Sequence, residues 1–507
     1  MDETMRSVKE PAALERLQKI WLLLFVFGDF VFLYFRTFWG FATPFVTVGD
    51  QSLHYLNALR ILHGQLPLRD FFIFVSPGTD LLYAGILHLL GVHQWVFQGT
   101  LIVLGLSLSL TVVWLSSSVL RGPKMILPGI LFLVFDFNSA LDATHHWWSV
   151  LFIMVATGLL LGGRTYRRIF AAGVLCGVSA LFTQTHGLLC FGAFSLYLFW
   201  TDRSSLREAF LGRNLFLFFS SFSIVVIPFV GHYIRLVGIR SFFFWMVYYP
   251  LKYFSGPRDN PLAFFEAPTY NAPSDLLFLI PIHVVVPLVY LLCMIRLVRE
   301  RGRLQCRERK RILLLVLVGL ALFAAVMNAP TFLRLCVVAP PALILFVWFL
   351  DRPARSFRWM NLALWTVALA LSAYLPLTRQ LHRHATADLP TGNVAFATEK
   401  QYQRTWWLAA HTHAGDTFFD EPSTTLALGL GSPGPIDYIK PYGYTRPQHI
   451  QALISAMTAD RTRYIFLYSE LLEPEHPGDM LGSFRQYVAE NYHLAKIVPG
   501  GEIWERN

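Results

Sequence analysis

Val48-Gly49-Asp50-Gln51-Ser52-Leu53-His54-Tyr55, continuing through Ala58-Leu59-Arg60-Ile61-Leu62-His63-Gly64 to Arg69-Asp70-Phe71-Phe72, follows directly on an apolar run from Trp21 to Trp39. An acidic residue and several polar ones therefore stand where a membrane helix has just surfaced. Ionisable groups at a membrane boundary are costly and are retained chiefly for function, which makes Asp50 the first candidate for chemistry.

The rest of the chain supports a membrane reading of that run. Of 507 residues, 55% are hydrophobic and only 15% are charged, and the mean hydropathy is +0.47. That is too apolar for an ordinary soluble chain of this length. Apolar runs near 20–39, 94–120, 125–141, 147–163, 168–183, 187–201, 214–236, 275–296, 312–328, 332–350 and 359–376 match the roughly 17 to 25 residues a crossing needs. The formal net charge of +10 is concentrated in short loops between these runs, at 121–124, 164–168, 203–213, 296–311 and 352–358. This is the positive-inside pattern, so the excess charge encodes orientation and not a nucleic-acid partner. About eleven crossings with a cytoplasmic N-terminus put every basic loop on one side. The apolar segment Pro77 to Val92 would break that alternation; its shortness, with Asp80 and His88, reads as an interfacial helix. Residues 41–93 then form one large outer loop.

The five cysteines are scattered, with neither a CxxC pair nor a metal-ligand spacing, so no disulfide framework is expected. The first apolar run lacks a small-residue cleavage site and reads as a retained anchor. After residue 376 the pattern changes to alternating helix and strand: helices over 399–413, 447–457 and 480–491, strands over 416–420, 464–468 and near 493–497. The expected architecture is an all-α polytopic bundle over 1–376, closed by a small α/β domain over 377–507 on the extracytoplasmic side.

Several outer-face residues are candidates for chemistry. Ser52 to His63 reads as an amphipathic helix with Leu53, Leu56, Leu59 and Leu62 on one side and Asn57, Arg60 and His63 more polar. Asp50 and His54, four apart, share a face near its start; Asp50 also fits a plain N-cap, and the two readings are compatible. Arg69-Asp70 follows in a turn, as a second carboxylate or as a surface ion pair. Asp142-Ala143-Thr144-His145-His146-Trp147-Trp148 opens a crossing; the tryptophans fit interface anchors. Adjacent helical residues diverge by about 100°, so His145 and His146 suit hydrogen bonding to a phosphate or sugar better than a shared metal. Gln184 and His186 lie in the polar break 183–187 between two short crossings. Arg334, just inside a crossing, is placed to meet an anion or to snorkel. The aromatic loop 237–275 reads as membrane-lying or acceptor-lining. Walker-type, HExxH, DxD and GxSxG patterns are absent.

With these residues in view, the membrane part resembles the GT-C membrane glycosyltransferases, in the RgtA/B/C/D-like branch related to protein mannosyltransferases and the lipid A aminoarabinose transferase. The resemblance rests on Gly49-Asp50-Gln51, then Tyr55, Gly64, Pro67, Arg69-Asp70-Phe71-Phe72 and Ser76-Pro77, followed by His145-His146, the Thr183-Gln184 break and the run Pro330 to Pro341. It implies transfer of a sugar from a polyprenyl-phosphate donor to a glycan, lipid or protein acceptor on the outer face of a bacterial-type inner membrane. Asp50 would be the base, with Arg334, His186, Gln184, His145 and His146 at the donor phosphate. His54, Arg69, Asp70 and Asp142 would support the acceptor side. No cofactor or metal ligand is implied, and a divalent ion on scattered carboxylates stays open. Membrane lipids are the other expected partners. Gln51 stands where many relatives carry a second acid, and Gln184 where some carry lysine. A polymerase or ligase of lipid-linked glycans is the neighbouring alternative. A transporter fits less well, because the ionisable groups gather at one surface and no paired repeat is seen.

Overall fold

The computed structural model describes residues 12–201, 212–253, 276–299, 306–327, 330–351, 355–440, 445–472 and 479–507. Most of the basic loop 203–213, residues 300–305 and 352–354 of the basic segments, 254–275 of the aromatic loop and 328–329 lie outside them.

All the apolar runs form helices. The first eight helices are α1 (Ala12–Thr37), α2 (Asp50–Leu62), α3 (Gly78–Leu90), α4 (Gln94–Ser116), α5 (Leu127–Leu131), α6 (His145–Leu161), α7 (Tyr166–Phe182) and α8 (Gln184–Thr201). Among the described residues, five helices are long and apolar enough to cross a membrane: Leu17–Thr37, Gln94–Ser116, Arg213–Val237, Leu277–Arg299 and Arg358–Leu381. At about 1.5 Å per residue, the 13 residues of α3 fall well short of a hydrocarbon core of roughly 30 Å.

Two expected crossings are not simple helices. After α5 the backbone widens into a π-helical segment, Phe132–Phe137, with Asn138 N–H reaching the Leu133 carbonyl. The run 332–350 is two helices, Phe332–Val338 and Pro340–Leu350, bent by 63°. Pro340 and Pro341 lack N–H groups, so the break falls where an uninterrupted hydrogen-bond ladder cannot be completed. Both irregularities lie beside the segments that carry Asp142 and Arg334. Backbone freed at membrane depth is tolerated where protein buries it or it lines a cavity.

The C-terminal region is a three-layer α/β structure. A hairpin, β3 (Ala385–Leu389) with β4 (Gly392–Phe396), precedes a mixed sheet of β5 (Phe418–Phe419), β6 (Tyr464–Tyr468), β8 (Gly501–Arg506) and β7 (Tyr492–Val498), in that order; a short ribbon, β1 (Phe38–Trp39) with β2 (Thr43–Pro44), follows α1. Along β6, Tyr464 and Phe466 join one core, with Leu408 and Ile503. Ile465 and Leu467 join the other, with Ile450 and Phe484. This two-residue alternation with both faces covered accounts for the unbroken apolar run Tyr-Ile-Phe-Leu-Tyr. The expected helices are seen at Glu399–His411, Pro447–Ala459 and Gly482–Asn491. The expectation lacked β8, although Pro499-Gly500 before it is a turn signal and Gly500 has φ +89°.

The two regions are fastened through α2, α4 and the loops beside them. Val46 N–H donates to the Ala395 carbonyl at 2.9 Å, Gln94 N–H to Thr391 at 3.0 Å and Phe72 N–H to Pro435 at 2.8 Å. Gln94 Oε1 also accepts from Thr47 N–H and hydroxyl at 3.1 and 3.0 Å. The strongest link is charged: Arg60 Nη2 lies 2.6 Å from Asp437 Oδ1, both side chains being buried, and Nη1 donates to the Gly434 carbonyl at 2.6 Å. Removing one member of such a pair leaves a buried charge uncompensated. Arg60→Ala is therefore expected to cost about 3–5 kcal/mol, lowering the apparent Tm of the detergent-solubilised protein and exposing the C-terminal region to limited proteolysis. Arg60→Met with Asp437→Leu, which removes both charges, should recover most of the loss; equal damage from single and double variants would contradict this role.

Candidate active site

Helix α2 begins after Gly49, whose φ of +73° is a conformation suited to glycine. Gly49 holds the cap position and Asp50 is the first helical residue, with no side-chain cap bond. The N-cap reading of Asp50 is therefore corrected. Its carboxylate has no hydrogen-bond partner among the described residues, is exposed, and lines a cavity between the helical bundle and the C-terminal region.

The amphipathic reading of α2 holds in part: Leu56 is buried in the bundle core and Leu59 packs against it, but the helix buries its polar side as well. Gln51, His54, Asn57 and Arg60 are all buried, whereas Leu62 is 38% exposed. Each of these four side chains has at least one partner, as burial requires. His54 Nδ1 is 2.6 Å from Asp80 Oδ1, Asn57 Nδ2 donates to Asp80 Oδ2 at 3.2 Å, and Arg60 holds Asp437. Gln51 donates from Nε2 to the Phe97 carbonyl at 3.2 Å and accepts on Oε1 from Ala143 N–H at 3.1 Å. It thereby fixes the loop that carries Asp142. A glutamate could not supply the first of these bonds, so Gln51 reads as a brace beside Asp50 and not as a lost second acid.

Asp142 lines the same cavity, its Oδ1 accepting from the Thr144 hydroxyl at 3.3 Å. Burial first and then the nearby Asp50 charge push its carboxyl up to about 7. His145 and His146 follow with ring centroids 3.9 Å apart, and both line the cavity. Thr183 gives its hydroxyl proton to the His145 carbonyl at 3.2 Å, so His145 Nδ1, 2.9 Å from the same oxygen, is the donor of that pair. Arg334 lines the cavity on the bundle side, near enough for its charge to act on Asp50. Asp50, His54, Asp142, His145, His146 and Arg334 thus converge on one space.

Five expected residues are placed otherwise. Gln184 borders the cavity, but its amide is spent on the backbone: it accepts from Ser76 N–H at 3.2 Å and donates to the Phe74 and Met246 carbonyls at 3.1 and 3.2 Å. His186 is fully buried behind His146, ring centroids 5.4 Å apart, with Nδ1 2.7 Å from Ser149 Oγ. Arg69 and Asp70 form an exposed ion pair at 2.7 Å, outside the cavity lining. Asp70 also accepts from Leu66 N–H at 2.7 Å, so this carboxylate closes a turn. Trp147, expected as an interface anchor, is fully buried and donates from Nε1 to the Ala140 carbonyl at 2.9 Å.

Sequence reasoning missed one wall entirely. Ile436, Asp437, Tyr438, Thr445 and His449 bring the C-terminal region to the cavity. Their only trace in the sequence is the Gly/Pro-rich stretch 429–435, which ends the preceding helix and sends the chain back toward α2. Among the described residues, no group of three or more His, Cys, Asp and Glu side chains is arranged to hold a metal ion.

No family model matches this chain, and no curated protein matches it in sequence. Solved structures do. ArnT from Cupriavidus metallidurans in the apo state superposes over 97% of this chain and 98% of its own, with a TM-score of 0.58 at 12% identity. The same protein bound to undecaprenyl phosphate gives 0.55 at 11% identity, over 96% and 97%. The archaeal oligosaccharyltransferase AglB from Archaeoglobus fulgidus, in complex with an inhibitory peptide and a dolichol-phosphate, gives 0.53 at 12% identity, over 89% of this chain and 69% of AglB. At such identities the likeness is one of fold. These neighbours are GT-C glycosyltransferases, and the fold of this chain is the one its sequence resemblance implied.

Proposed function

We propose that this chain is an inverting glycosyltransferase of a bacterial-type inner membrane, transferring a sugar from a polyprenyl-phosphate donor to a lipid, glycan or protein acceptor on the outer face. In this reading it crosses the membrane about eleven times, with the N-terminus cytoplasmic, 1–376 as the transferase domain and 377–507 extracytoplasmic. The observation that carries the reading is the Asp50 carboxylate, without a hydrogen-bond partner among the described residues, facing a cavity shared with Arg334 and the His145-His146 pair. The likeness in fold to ArnT with undecaprenyl phosphate and to AglB with dolichol-phosphate supports the class of donor.

The chemistry follows from these positions. Asp50 takes the proton of the acceptor hydroxyl as its oxygen bonds to the anomeric carbon. The bond from that carbon to the phosphate oxygen breaks, with its electron pair left on the polyprenyl phosphate. Attack opposite the leaving group inverts the configuration. Arg334 and His146 stabilise the departing phosphate as fixed donors in a partly dehydrated space; His145, with its proton on Nδ1, presents Nε2 as an acceptor for a sugar hydroxyl, and Gln184 and His186 hold that wall from behind. Asp142 shapes the acceptor side, and Arg69-Asp70 has no part in the chemistry. No cofactor is needed for these steps.

Asp50→Asn keeps the shape of the side chain and removes the base. In proteoliposomes supplied with a panel of polyprenyl-phosphate sugars, it should lower transfer by about 10²–10⁴-fold while still binding undecaprenyl phosphate. Transfer at the wild-type rate would remove Asp50 from the base role. Asp142 gives a pH test with a definite sign. Its carboxyl sits near 7 in the fold, against about 3.9 in an unfolded chain. Its stabilising contribution is thus complete below about pH 4 and is lost as pH rises through the folded value near 7. The apparent Tm of Asp142→Asn relative to wild type should accordingly climb between pH 5 and pH 8, a window bracketing that titration; a pH-independent difference would contradict the crowding of the two carboxylates.

A further inference from the structure

Asp80 has no role in the chemistry above, yet it is the most elaborately placed carboxylate in the cavity. It stands in the first turn of α3, is 3% exposed, and uses both oxygens, one 2.6 Å from His54 Nδ1 and the other accepting from Asn57 Nδ2 at 3.2 Å. The start of α3 has little freedom to move: a Cβ built on Gly78 would come within 2.3 Å of the Leu181 carbonyl oxygen near the end of α7. The carboxylate is thus locked against two neighbouring helices before any ligand arrives.

The partner of this carboxylate is an imidazole on the cavity wall. With Nδ1 committed to Asp80, Nε2 is the ring nitrogen left for a bound molecule, and among the described residues it has no hydrogen-bond partner. His54 lies one turn along α2 from Asp50, and its ring meets His145 edge-on at 5.4 Å. It therefore stands between the proposed base and the proposed phosphate wall. A carboxylate on one ring nitrogen fixes the tautomer and favours the charged form, which donates from the other nitrogen.

We propose that Asp80 is a positioning residue that holds His54 as an imidazolium, and that His54 Nε2–H is the proton donor to the phosphate oxygen leaving the sugar. This rests on the polyprenyl-phosphate reading and assigns its leaving-group step. As the bond from the anomeric carbon to the phosphate oxygen breaks, its electron pair stays on that oxygen. The Nε2 proton passes to the same oxygen, leaving neutral imidazole beside the Asp80 carboxylate, while Asp50 holds the proton taken from the acceptor. A phosphate monoester with a second pKa near 6 is well matched to a histidine donor. Burial alone would lower the His54 pKa, but the Asp80 carboxylate, with Asp50 and Asp142 more distant, brings it above the ordinary histidine value. The charged or titratable groups facing His54 are Asp80 from α3, Asp50 from its own helix, Asp142 from the loop before α6, and His145 and His146 from α6, with Arg334 across the cavity.

The test has one arm that needs no ligand. Diethyl pyrocarbonate modifies neutral imidazole, so at pH 7 His54 in the wild type should be labelled slowly, as read by peptide mass spectrometry. Asp80→Asn should be labelled several-fold faster and Asp80→Glu at close to the wild-type rate, each variant being checked for a monodisperse elution profile. In the second arm, Asp80→Asn should weaken binding of undecaprenyl phosphate about tenfold, the fold-change that corresponds to weakening one hydrogen bond to a charged group. In a His54→Gln background the same substitution should have no further effect. Equal labelling of wild type and Asp80→Asn overturns the pairing, and an undiminished affinity in Asp80→Asn, or additive losses in the double variant, overturns the route through His54. If the wild type binds no undecaprenyl phosphate at any pH, the donor reading and the leaving-group step fall together, while the labelling arm still decides the pairing.

Discussion

Burial of the polar side of α2 is the constraint on which the rest of the structure depends. A helix that turns Gln51, His54, Asn57 and Arg60 inward is stable only if each finds a partner, because an unpaired buried polar group costs roughly 1–3 kcal/mol and a buried charge more. Those partners come from four separate parts of the chain: the Phe97 carbonyl of α4, the loop at Ala143, Asp80 of α3 and Asp437 of the C-terminal region. Satisfying one short helix therefore fixes the relative positions of the segment between α1 and α4, the bundle and the C-terminal region. The cavity is the space these elements leave between them, and Asp50 opens onto it because it stands at the free N-terminal end of the same helix.

This arrangement also separates residues that build the site from residues that face it. Gln51 and Gln184 both spend their amides on the backbone. They act as braces, one for the Asp142 loop and one for the segment 74–76. The exposed Arg69-Asp70 pair closes a turn at the surface. What remains at the cavity are two carboxylates, Asp50 and Asp142, with His145, His146 and Arg334. Carboxylates that share one space with a guanidinium and imidazoles supply the electrostatics that the proposed displacement of a phosphate leaving group requires.

Much of this was legible in the sequence. The apolar runs and the Gly49-Asp50 signal located the helices and the leading candidate, and the unbroken apolar run 464–468 located the central strand of the C-terminal sheet. The burial of the polar side of α2 was not legible, because its leucines recur at helical spacing and periodicity assigns only them to the core, where Leu56 indeed lies. Only tertiary partners far away in sequence show that Gln51, His54, Asn57 and Arg60 are buried as well. Asp437 and His449 were invisible for the same reason, since nothing local marks a residue that reaches a site more than three hundred positions earlier. The broken helix at Ala339-Pro340 could have been read from its two prolines, which cannot continue a hydrogen-bonded ladder.

The central claim is that this one cavity receives a polyprenyl phosphate with its phosphate between Asp50 and Arg334. The most direct measurement is photolabelling in proteoliposomes with an undecaprenyl phosphate analogue bearing a diazirine beside the phosphate, followed by peptide mapping. The account predicts labels on peptides containing 50–57, 142–148 and 331–337, all suppressed by excess unlabelled undecaprenyl phosphate. Competable labelling confined to peptides outside the cavity, or labelling of these peptides that excess ligand leaves unchanged, would contradict it.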